Sequence, residues 1–542
     1  MQSLPARRIV AALLNVWLRI RIHFDAFRLA PGDYLVATKW WVLRKRVRAN
    51  GQFAVLLSRS PRAYMLWGLQ KGRAERVHSP PCPHRPIIAL VQTDTGKDAD
   101  PSQLNATMEN LALEGVEAFI IGEPGTDLVA ASQNIDWDAG PWLLPVEAGD
   151  LLAPGAAAAY RAVVSTGSFN VVYADEDQMD RWGRYLRPHF KPDWNPELFK
   201  HFDFLTGSCI VAANKADLLS IGHSDGWAQK LVAQSAGRGQ VRHLAELLHH
   251  RRSRPLPHIA AQPLRLLEEL PSISIIVPTR NRVDLLRTCL DGLAATDYPK
   301  IEIIVVDNDS DEPETLAYLD EIQAHGMTVM RHPGPFNYSA MNNRAAAAAS
   351  GDLLCLLNND IEIKEPNWLA TLATQAVRDE VGAVGAQLLY PDGRIQHAGV
   401  VIGVGNAAGH AHRYLRPEDA GYFRRHALPQ FISAVTAACL VVQKSRFQAV
   451  GGLDEKNFPV AFNDVDFCLR LNQQGWQSFY EPRAVLIHHE SVSRGFDRDP
   501  VGAARFAGEL AALQRKWGTD RIVDPYHHRH LSRAAEHFAV AI

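Results

Sequence analysis

The residues best placed for chemistry end a short apolar run, Gly351-Asp352-Leu353-Leu354-Cys355-Leu356-Leu357-Asn358-Asn359-Asp360. A buried strand that stops in two amides and a carboxylate delivers them to the C-terminal edge of a sheet, where α/β proteins bind ligands. A carboxylate there can hold a divalent cation, and the cation a diphosphate. The competing reading is a polar turn, because Asn and Asp end many strands. A second acidic pair, Asp464 and Asp466, follows Asn463, which reads as the N-cap of a helix that stops at Gly475. These acids either complement the helix dipole or supply a base that stays ionised at the helix N-terminus. His488 and His489 follow the apolar run from Ala484 to Ile487, as surface hydrogen bonders or as ligands.

Such side chains need a scaffold, and the flanking pattern predicts one. Ser272 to Val277 is a continuous apolar strand stopped by Pro278, followed by a helical pattern over Val283 to Ala295. Ile301 to Val306 ends in Asp307-Asn308-Asp309-Ser310, and Met327 to Arg331 precedes an alanine-rich helix from Tyr338 to Ser350. Strands that are apolar throughout are buried on both faces, so a mostly parallel sheet with helices on either side is expected. No G-x-G-x-x-G follows the first strand, which argues against a dinucleotide-binding dehydrogenase.

From about Ser272 to Gly495 the chain resembles the family 2 glycosyltransferases with the GT-A fold. The matching pieces are Val277-Pro278-Thr279-Arg280-Asn281, Val306 to Ser310, Phe336-Asn337-Tyr338-Ser339 and Asn342-Asn343-Arg344. They continue through Asn358-Asn359-Asp360 as a variant DxD motif, Ile395 to Gly399, Val450 to Glu455, Asn463 to Phe467 and His488 to Gly495. Within that family it looks most like the rhamnosyltransferase-type enzymes of bacterial surface polysaccharide assembly.

The resemblance implies a nucleotide-sugar donor, a saccharide or polyprenyl-linked acceptor, and Mg²⁺ or Mn²⁺ as cofactor. A departing diphosphate must be neutralised by a cation or by Arg and Lys. Asp360, the only acid of its triplet, is the expected metal contact, with His488 beside it. Pro278, Thr279, Arg280, Asn281, Asp307, Asp309, Asn337, Asn343, Asn358, Asn359 and Arg494 are expected on the donor side. Ser491 and Ser493 join Arg494 as diphosphate contacts. Asp464 falls where the family carries its catalytic base, while Asn463 replaces the Glu that usually precedes it. Gln396, His397, Asn463 and Asp466 are expected on the acceptor side, with Asp466 also suited to a structural role.

The chain ahead of residue 270 repeats the theme. Pro86 to Gln92 and Val116 to Ile121 read as strands, and Trp142 to Pro154 lies where a second metal triplet would fall. Asp175-Glu176-Asp177 and Phe190-Lys191-Pro192-Asp193-Trp194-Asn195-Pro196 resemble the first domain of two-domain members of the family, so an internal duplication is expected. Gln92-Thr93-Asp94-Thr95 and Val146-Glu147-Ala148-Gly149-Asp150 depart from the pattern where chemistry would sit, and no His-His-Glu-Ser run follows. The expected organisation is a basic arm over 1–80, a degenerate GT-A-like copy over 81–250, a linker over 251–270, a catalytic copy over 271–500 and a tail over 501–542.

The arm carries 15 Lys/Arg against Asp25, Asp33 and Glu75, about +12, whereas the whole chain of 542 residues carries −2. Ile9 to Phe24 has Leu13, Leu14, Trp17 and Leu18 on helical spacing but is interrupted by Arg19 and Arg21. That suits a helix lying on an anionic membrane surface and is too short and charged to span one. Docking on protein is the rival; nucleic acid is not expected without a recognition motif. A cleavable signal is not expected either. The six cysteines are scattered, as buried thiols of a reducing compartment would be. The combined reading is an inverting, metal-dependent glycosyltransferase on the cytoplasmic face of a membrane. Its rivals are a non-catalytic scaffold with assembly-complex partners and a sugar nucleotidyltransferase, although the latter's Gly-rich phosphate loop is missing.

Overall fold

The computed structural model describes residues 4–70, 85–93, 100–122, 126–222, 225–254, 263–490 and 500–542, with side-chain detail from Val10 onward. Arg494, Ser491, Ser493, Asp94, Cys82 and much of the expected linker lie outside these residues. Four helices open the chain: α1 Leu4–Leu29, α2 Pro31–Val42, α3 Arg46–Ser58 and α4 Ala63–Gln70. Asp25 ties α1 to the turn before α4, accepting from Ser60 and pairing with Arg62, each at 2.7 Å.

Two sheets follow. The first comprises β1 Ile87–Gln92, β2 Glu117–Ile121, β3 Trp142–Glu147, β4 Leu151–Leu152, β5 Val171–Met179, β6 Tyr185–His189, β7 Cys209–Ala212 and β8 Val241–Arg251. Its order is β2-β1-β3-β7-β5-β8-β4, with β6 on β5. The second comprises β9 Ile273–Thr279, β10 Ile301–Asp307, β11 Thr328–Arg331, β12 Leu353–Leu357, β13 Ile361–Ile363, β14 Val381–Leu389 and β15 Ile395–His397. After a separate ribbon, β16 Val400–Ile402 with β17 Ala408–His410, it adds β18 Gln430–Ile432, β19 Cys439–Gln443 and β20 Gln477–His488. The order is β11-β10-β9-β12-β19-β14-β20-β13, with β15 on β14 and β18 on β20.

The duplication is explicit in the pairing. β10-β9-β12 is parallel like β2-β1-β3, and β19 joins β12 antiparallel as β7 joins β3. β14 and β20 run parallel as β5 and β8 do, and the short strands β13 and β4 close each edge antiparallel. β11, β18 and the ribbon are additions in the second copy. In both sheets the parallel half is continued by antiparallel strands, so the architecture is mixed rather than mostly parallel.

Alternation explains why the strands read as unbroken apolar runs. Ile273, Ile275 and Val277 feed one core of the second copy while Ile276 feeds the core on the opposite face. Ile88 and Leu90 do the same against Ile87, Ala89 and Val91 in the first. Each sheet is therefore covered on both faces. At Gly351 a Cβ would sit 2.5 Å from the Ser274 nitrogen, so only glycine lets the entry to β12 close on β9.

The Phe190 to Pro196 segment joins the copies. Asn195 donates to the Phe431 carbonyl at 2.9 Å and accepts from its N–H at 3.2 Å, and Glu197 pairs with Arg378 at 2.7 Å. The helix Pro500–Trp517 precedes a tail that runs between them: Asp524 accepts from Ile402 N–H at 2.6 Å, and the Pro525 carbonyl from Asp193 N–H at 2.7 Å. The expected boundary at 250 moves, because β8 continues to Arg251, which pairs with Asp150 at 3.2 Å inside the first copy. All five described cysteines are buried free thiols.

Candidate active site

At the end of β12 the chain turns directly into β13, which pairs antiparallel with the end of β20. That hairpin sets Asp360 against His488: Oδ1 lies 3.1 Å from Nε2, both side chains are buried, and Oδ1 has no hydrogen-bond partner. Asn358 reaches the same imidazole nitrogen at 3.4 Å, and Asn359 donates to Thr279 Oγ1 at 3.0 Å, locking the ends of β9 and β12 together. A buried carboxylate oxygen without a donor beside an imidazole nitrogen is a fitting oxygen and nitrogen pair for a divalent cation.

Asp307 ends β10 fully buried. Arg331 holds its Oδ2 at 2.7 Å while Oδ1 is left without a partner, available to a ligand's N–H or O–H. Asp309 instead accepts from Gly334 N–H at 2.7 Å, and Asn281 braces the loop by accepting from Asp311 N–H at 2.9 Å. Pro278 is buried in β9, whereas Arg280 is exposed where that strand ends. Two of the expected donor contacts have structural work. Asn337 caps the helix Tyr338–Ala348 through Ala340 N–H at 2.9 Å, and Asn343 clamps both backbone groups of Leu453 at 2.8 Å.

The helix Asn463–Gln473 carries the candidate base. Its N-cap is Phe462, held at φ 61°, so Asn463 is the first helical residue and not the cap expected from sequence. Asn463 donates to the Val460 carbonyl at 2.8 Å. A bulky residue in the left-handed region costs energy, and such outliers gather at functional sites. Asp464 accepts from Ala437 N–H at 3.1 Å and Val465 N–H at 2.8 Å. Burial pushes its pKa up, against the opposing pull of these N–H groups and the Thr436 hydroxyl. The expectation of a carboxylate simply kept ionised by the helix terminus is corrected in that respect: desolvation outweighs those donors. Asn358 N–H donates to the Ala438 carbonyl at 3.0 Å, so one turn links Asp464 to the Asp360 strand end. Tyr338 lies close enough to feel both charges. Asp466 is consumed by Arg470 at 2.8 Å, Lys516 at 2.6 Å and Trp517 Nε1 at 2.9 Å.

Gln396 and His397 sit on β15, each with a buried atom, Oε1 and Nε2, lacking a partner. His397 Nδ1 meets His410 Nδ1 at 2.9 Å. Burial lowers both pKa values, helped at His397 by His410 and His488 and at His410 by Arg413 and His488. His410, with His412, is a further candidate from sequence, and its place beside His397 depends on the ribbon.

One group of three metal-ligand side chains converges among the described residues, and it lies elsewhere: Asp175, His243 and His528, all buried. His530 N–H donates to Nδ1 of His528 at 3.1 Å, while His528 Nε2 and Asp175 Oδ2, 3.0 Å apart, are buried without a hydrogen-bond partner, so a cation could also sit here. His243 bridges Asp175 at 3.2 Å and Asp193 at 2.9 Å. This network pins the tail to the first copy.

The first copy can be laid on the second through its ladders. Val211 pairs with Leu143 and Val171, as Val441 pairs with Cys355 and Val384. Counting along β3 and β12 from there sets Ala148 at the Asp360 position. The edge ladder, Leu151 with His250 as Ile361 with His488, sets Asp150 there, which accepts from Arg251 at 3.2 Å and Arg252 N–H at 2.7 Å. Through Ile88 and Ile275, which pair with Glu117 and Ile303, Ile121 falls at the Asp307 position. The helix Trp227–Ala236 follows a left-handed cap, Gly226 at φ 69°, just as Asn463–Gln473 follows Phe462, so Ala228 stands where Asp464 does. A His pair at the end of β8, unexpected from sequence, does match the second copy. His250 pairs across from β4 as His488 does from β13, yet it bonds Asp177 at 2.7 Å.

A doubled sheet of this kind defines a tandem GT-A architecture. Residues 274–443 match the glycosyl transferase family 2 model, so the second copy carries a domain of that family. An uncharacterized protein of Sinorhizobium fredii, y4gI, is 35% identical over 460 residues, covering 76% of this chain and 51% of that protein. The O-antigen biosynthesis protein RfbC of Myxococcus xanthus is 37% identical over 433 residues, 71% of this chain and 33% of its own length. The chain thus spans about half the length of the first relative and a third of the second. An N-acetylglucosaminyl-diphospho-decaprenol L-rhamnosyltransferase of Mycobacterium tuberculosis is 30% identical over 157 residues, 28% of this chain and 50% of that protein. Among solved structures, the mannosyltransferase PcManGT from Pyrobaculum calidifontis, in complex with GDP-Man and Mn²⁺, matches at TM-score 0.36 and 18% identity, over 49% of this chain and 70% of that one.

Proposed function

We propose that the second copy transfers a sugar from a nucleotide donor to a saccharide or lipid-linked acceptor with inversion, in assembly of a bacterial surface polysaccharide, while the first copy does no catalysis. The observation that carries this is the buried Asp360–His488 pair with its unpartnered carboxylate oxygen. These two residues would hold Mg²⁺ or Mn²⁺, which neutralises a diphosphate leaving group when bound. Asp307 offers its open oxygen to the nucleoside, with Thr279 and Asn359 fixing the floor between the strands. Asp464 takes the acceptor hydroxyl's proton as that oxygen bonds the anomeric carbon and the bond to the diphosphate breaks. A carboxyl whose pKa is lifted from its ordinary value is a stronger base once ionised. Rhamnose is the first sugar to test, given the name of the M. tuberculosis relative. Thermal stabilisation by dTDP-rhamnose, UDP-sugars and GDP-mannose with Mn²⁺ tests the reading: one donor raises Tm in the native chain and none does in Asp360→Ala. Stabilisation that survives Asp360→Ala contradicts it.

The arm supports peripheral attachment to an anionic, cytoplasmic leaflet. On α1, Leu18, Ile22 and Ala26 are buried, whereas Val10, Leu13, Trp17, Ile20, Phe24 and Phe27 form an exposed stripe at helical spacing. The docked face fits the rival of packing on the protein, and the second face is still apolar. Arg46 over Trp41 at 4.2 Å and Arg48 over Trp40 at 4.6 Å add cations beside aromatics. Among the described residues no helix is long and apolar enough to cross a membrane. Flotation with phosphatidylglycerol vesicles, lost in Leu13→Glu/Trp17→Glu, is the expected result; equal flotation of the variant contradicts it.

A further inference from the structure

A cavity of about 650 Å³ opens in the first copy, at the C-terminal ends of β1 and β3. By the ladder correspondence this is the place the catalytic set occupies in the second copy. Its walls include Ile121, Glu147 and Ala228, the first and last standing for Asp307 and Asp464. At the metal position stand Ala148 by the central ladder and Asp150 by the edge ladder, and Asp150 is buried and taken up by Arg251 and the Arg252 N–H. The duplication has therefore kept the cleft and removed its chemistry.

What replaced that chemistry selects a ligand. The wall carries three carboxylates, Asp127, Glu147 and Asp225, and neither Lys nor Arg among the described residues. Arg251 lies behind Gly207 and is 4% exposed, held by Asp150, Glu147 and Glu176. A nucleoside diphosphate would meet like charge from these described residues, and Arg251 behind the wall is already held by three carboxylates. The three acids do not form a metal-ligand cluster that could reverse the sign. Carboxylates and amides suit a ligand rich in hydroxyl donors and without charge. Gln229 is exposed at the rim, and Thr206 Oγ1 is buried with no hydrogen-bond partner. Trp227, Leu128, Pro145 and Val146 supply the apolar wall that the C–H face of a pyranose requires.

We propose that this cavity is a binding site for a neutral saccharide, a non-catalytic glycan-holding site within the same chain as the catalytic copy. The proposal rests on the first copy's geometry and does not require the second copy's donor or base to be as assigned. Ligands of this size fill 300–1,000 Å³ clefts, on the order of a mono- or disaccharide here.

The test uses the full chain and saturation-transfer NMR with titration of methyl α-L-rhamnoside, methyl α-D-mannoside, methyl β-D-glucoside and methyl β-N-acetylglucosaminide. At least one glycoside is expected to bind, and Glu147→Gln and Gln229→Ala are each expected to weaken it more than about threefold. Asp360→Ala and added UDP with Mn²⁺ should leave it unchanged. Both wall variants carry solvent-facing changes, and unaltered UDP·Mn²⁺ binding in them confirms folding. Absence of binding by all four glycosides overturns the proposal. So does binding that is lost in Asp360→Ala but kept in Glu147→Gln, which would move the saccharide to the second copy. Displacement of the glycoside by UDP would make the cavity a nucleotide site and overturn it equally.

Discussion

The two copies share strand order, pairing sense and doubly covered sheets, yet differ at almost every strand end that faces a ligand. Asp307 answers to Ile121 and Asp464 to Ala228, while Asp360 answers to Ala148 on the central ladder and on the edge ladder to Asp150, which Arg251 and Arg252 hold. His488 answers to His250, whose carboxylate partner has become Asp177. The difference teaches that the apolar strand interiors carry the fold and a few terminal side chains carry the chemistry. Losing the latter leaves the former intact. The first copy has instead turned its polar residues inward. Glu176 and Lys191 pair at 3.2 Å, buried beside Arg251 and His189, and Asp175 holds the tail through His528.

The comparison is most sharply tested at the base. Asp464→Asn should lower transfer by about 10²–10⁴-fold with donor affinity unchanged, as removal of a general base does. Undiminished transfer in single-turnover assays would break the assignment. Because burial lifts this carboxyl's pKa in the fold, its ionised form is disfavoured there. The group favours the folded state at low pH, and that contribution is lost as pH rises past its unfolded value. Asp464→Asn should therefore raise Tm at pH 7, and the acid limb of transfer should fall above the ordinary carboxylate range.

The first copy should respond in stability instead. Lys191→Met leaves Glu176 without its closest cation and should cost about 3–5 kcal/mol, measured by urea unfolding. Burial alone would raise the Glu176 pKa, but Lys191, His189 and Arg251 overcome it and hold the carboxyl well below its usual range. Its stabilisation is present above pH of about 4.5 and is lost as pH falls through the lowered value. The native chain should accordingly lose stability on acidification more steeply than Lys191→Met. The smallest effect is expected at the retained histidine: His250→Gln should change transfer less than about twofold, whereas a large loss would show that the first copy still acts in catalysis.

Much of this was legible in sequence because buried parallel strands leave continuous apolar runs ending in polar residues. The strands of both copies follow from that signal, Asp464 in a helix's first turn from the helix-start pattern, and the duplication and His488 beside Asp360 from what the family resemblance implies. Antiparallel strands such as β19 and β14 have the same apolar signature, so their direction was not readable. The cap at Phe462 was missed since a left-handed aromatic has no sequence mark, and Asn337 and Asn343 were read as donor contacts because capping and ligand binding use the same amide. His250 escaped notice because its equivalence rests on a two-residue strand, Leu151–Leu152, too short for any pattern. The tail's position depends on joints far apart in sequence, Asp524 to Ile402 and Pro525 to Asp193.

The claim that one copy works and the other holds the frame is tested most directly by Mn²⁺-dependent donor hydrolysis in Asp360→Ala beside Glu147→Gln. Hydrolysis abolished in the first variant and kept within about twofold in the second is the expected result. The reverse pattern, or equal losses in both, would contradict the division of labour between the copies.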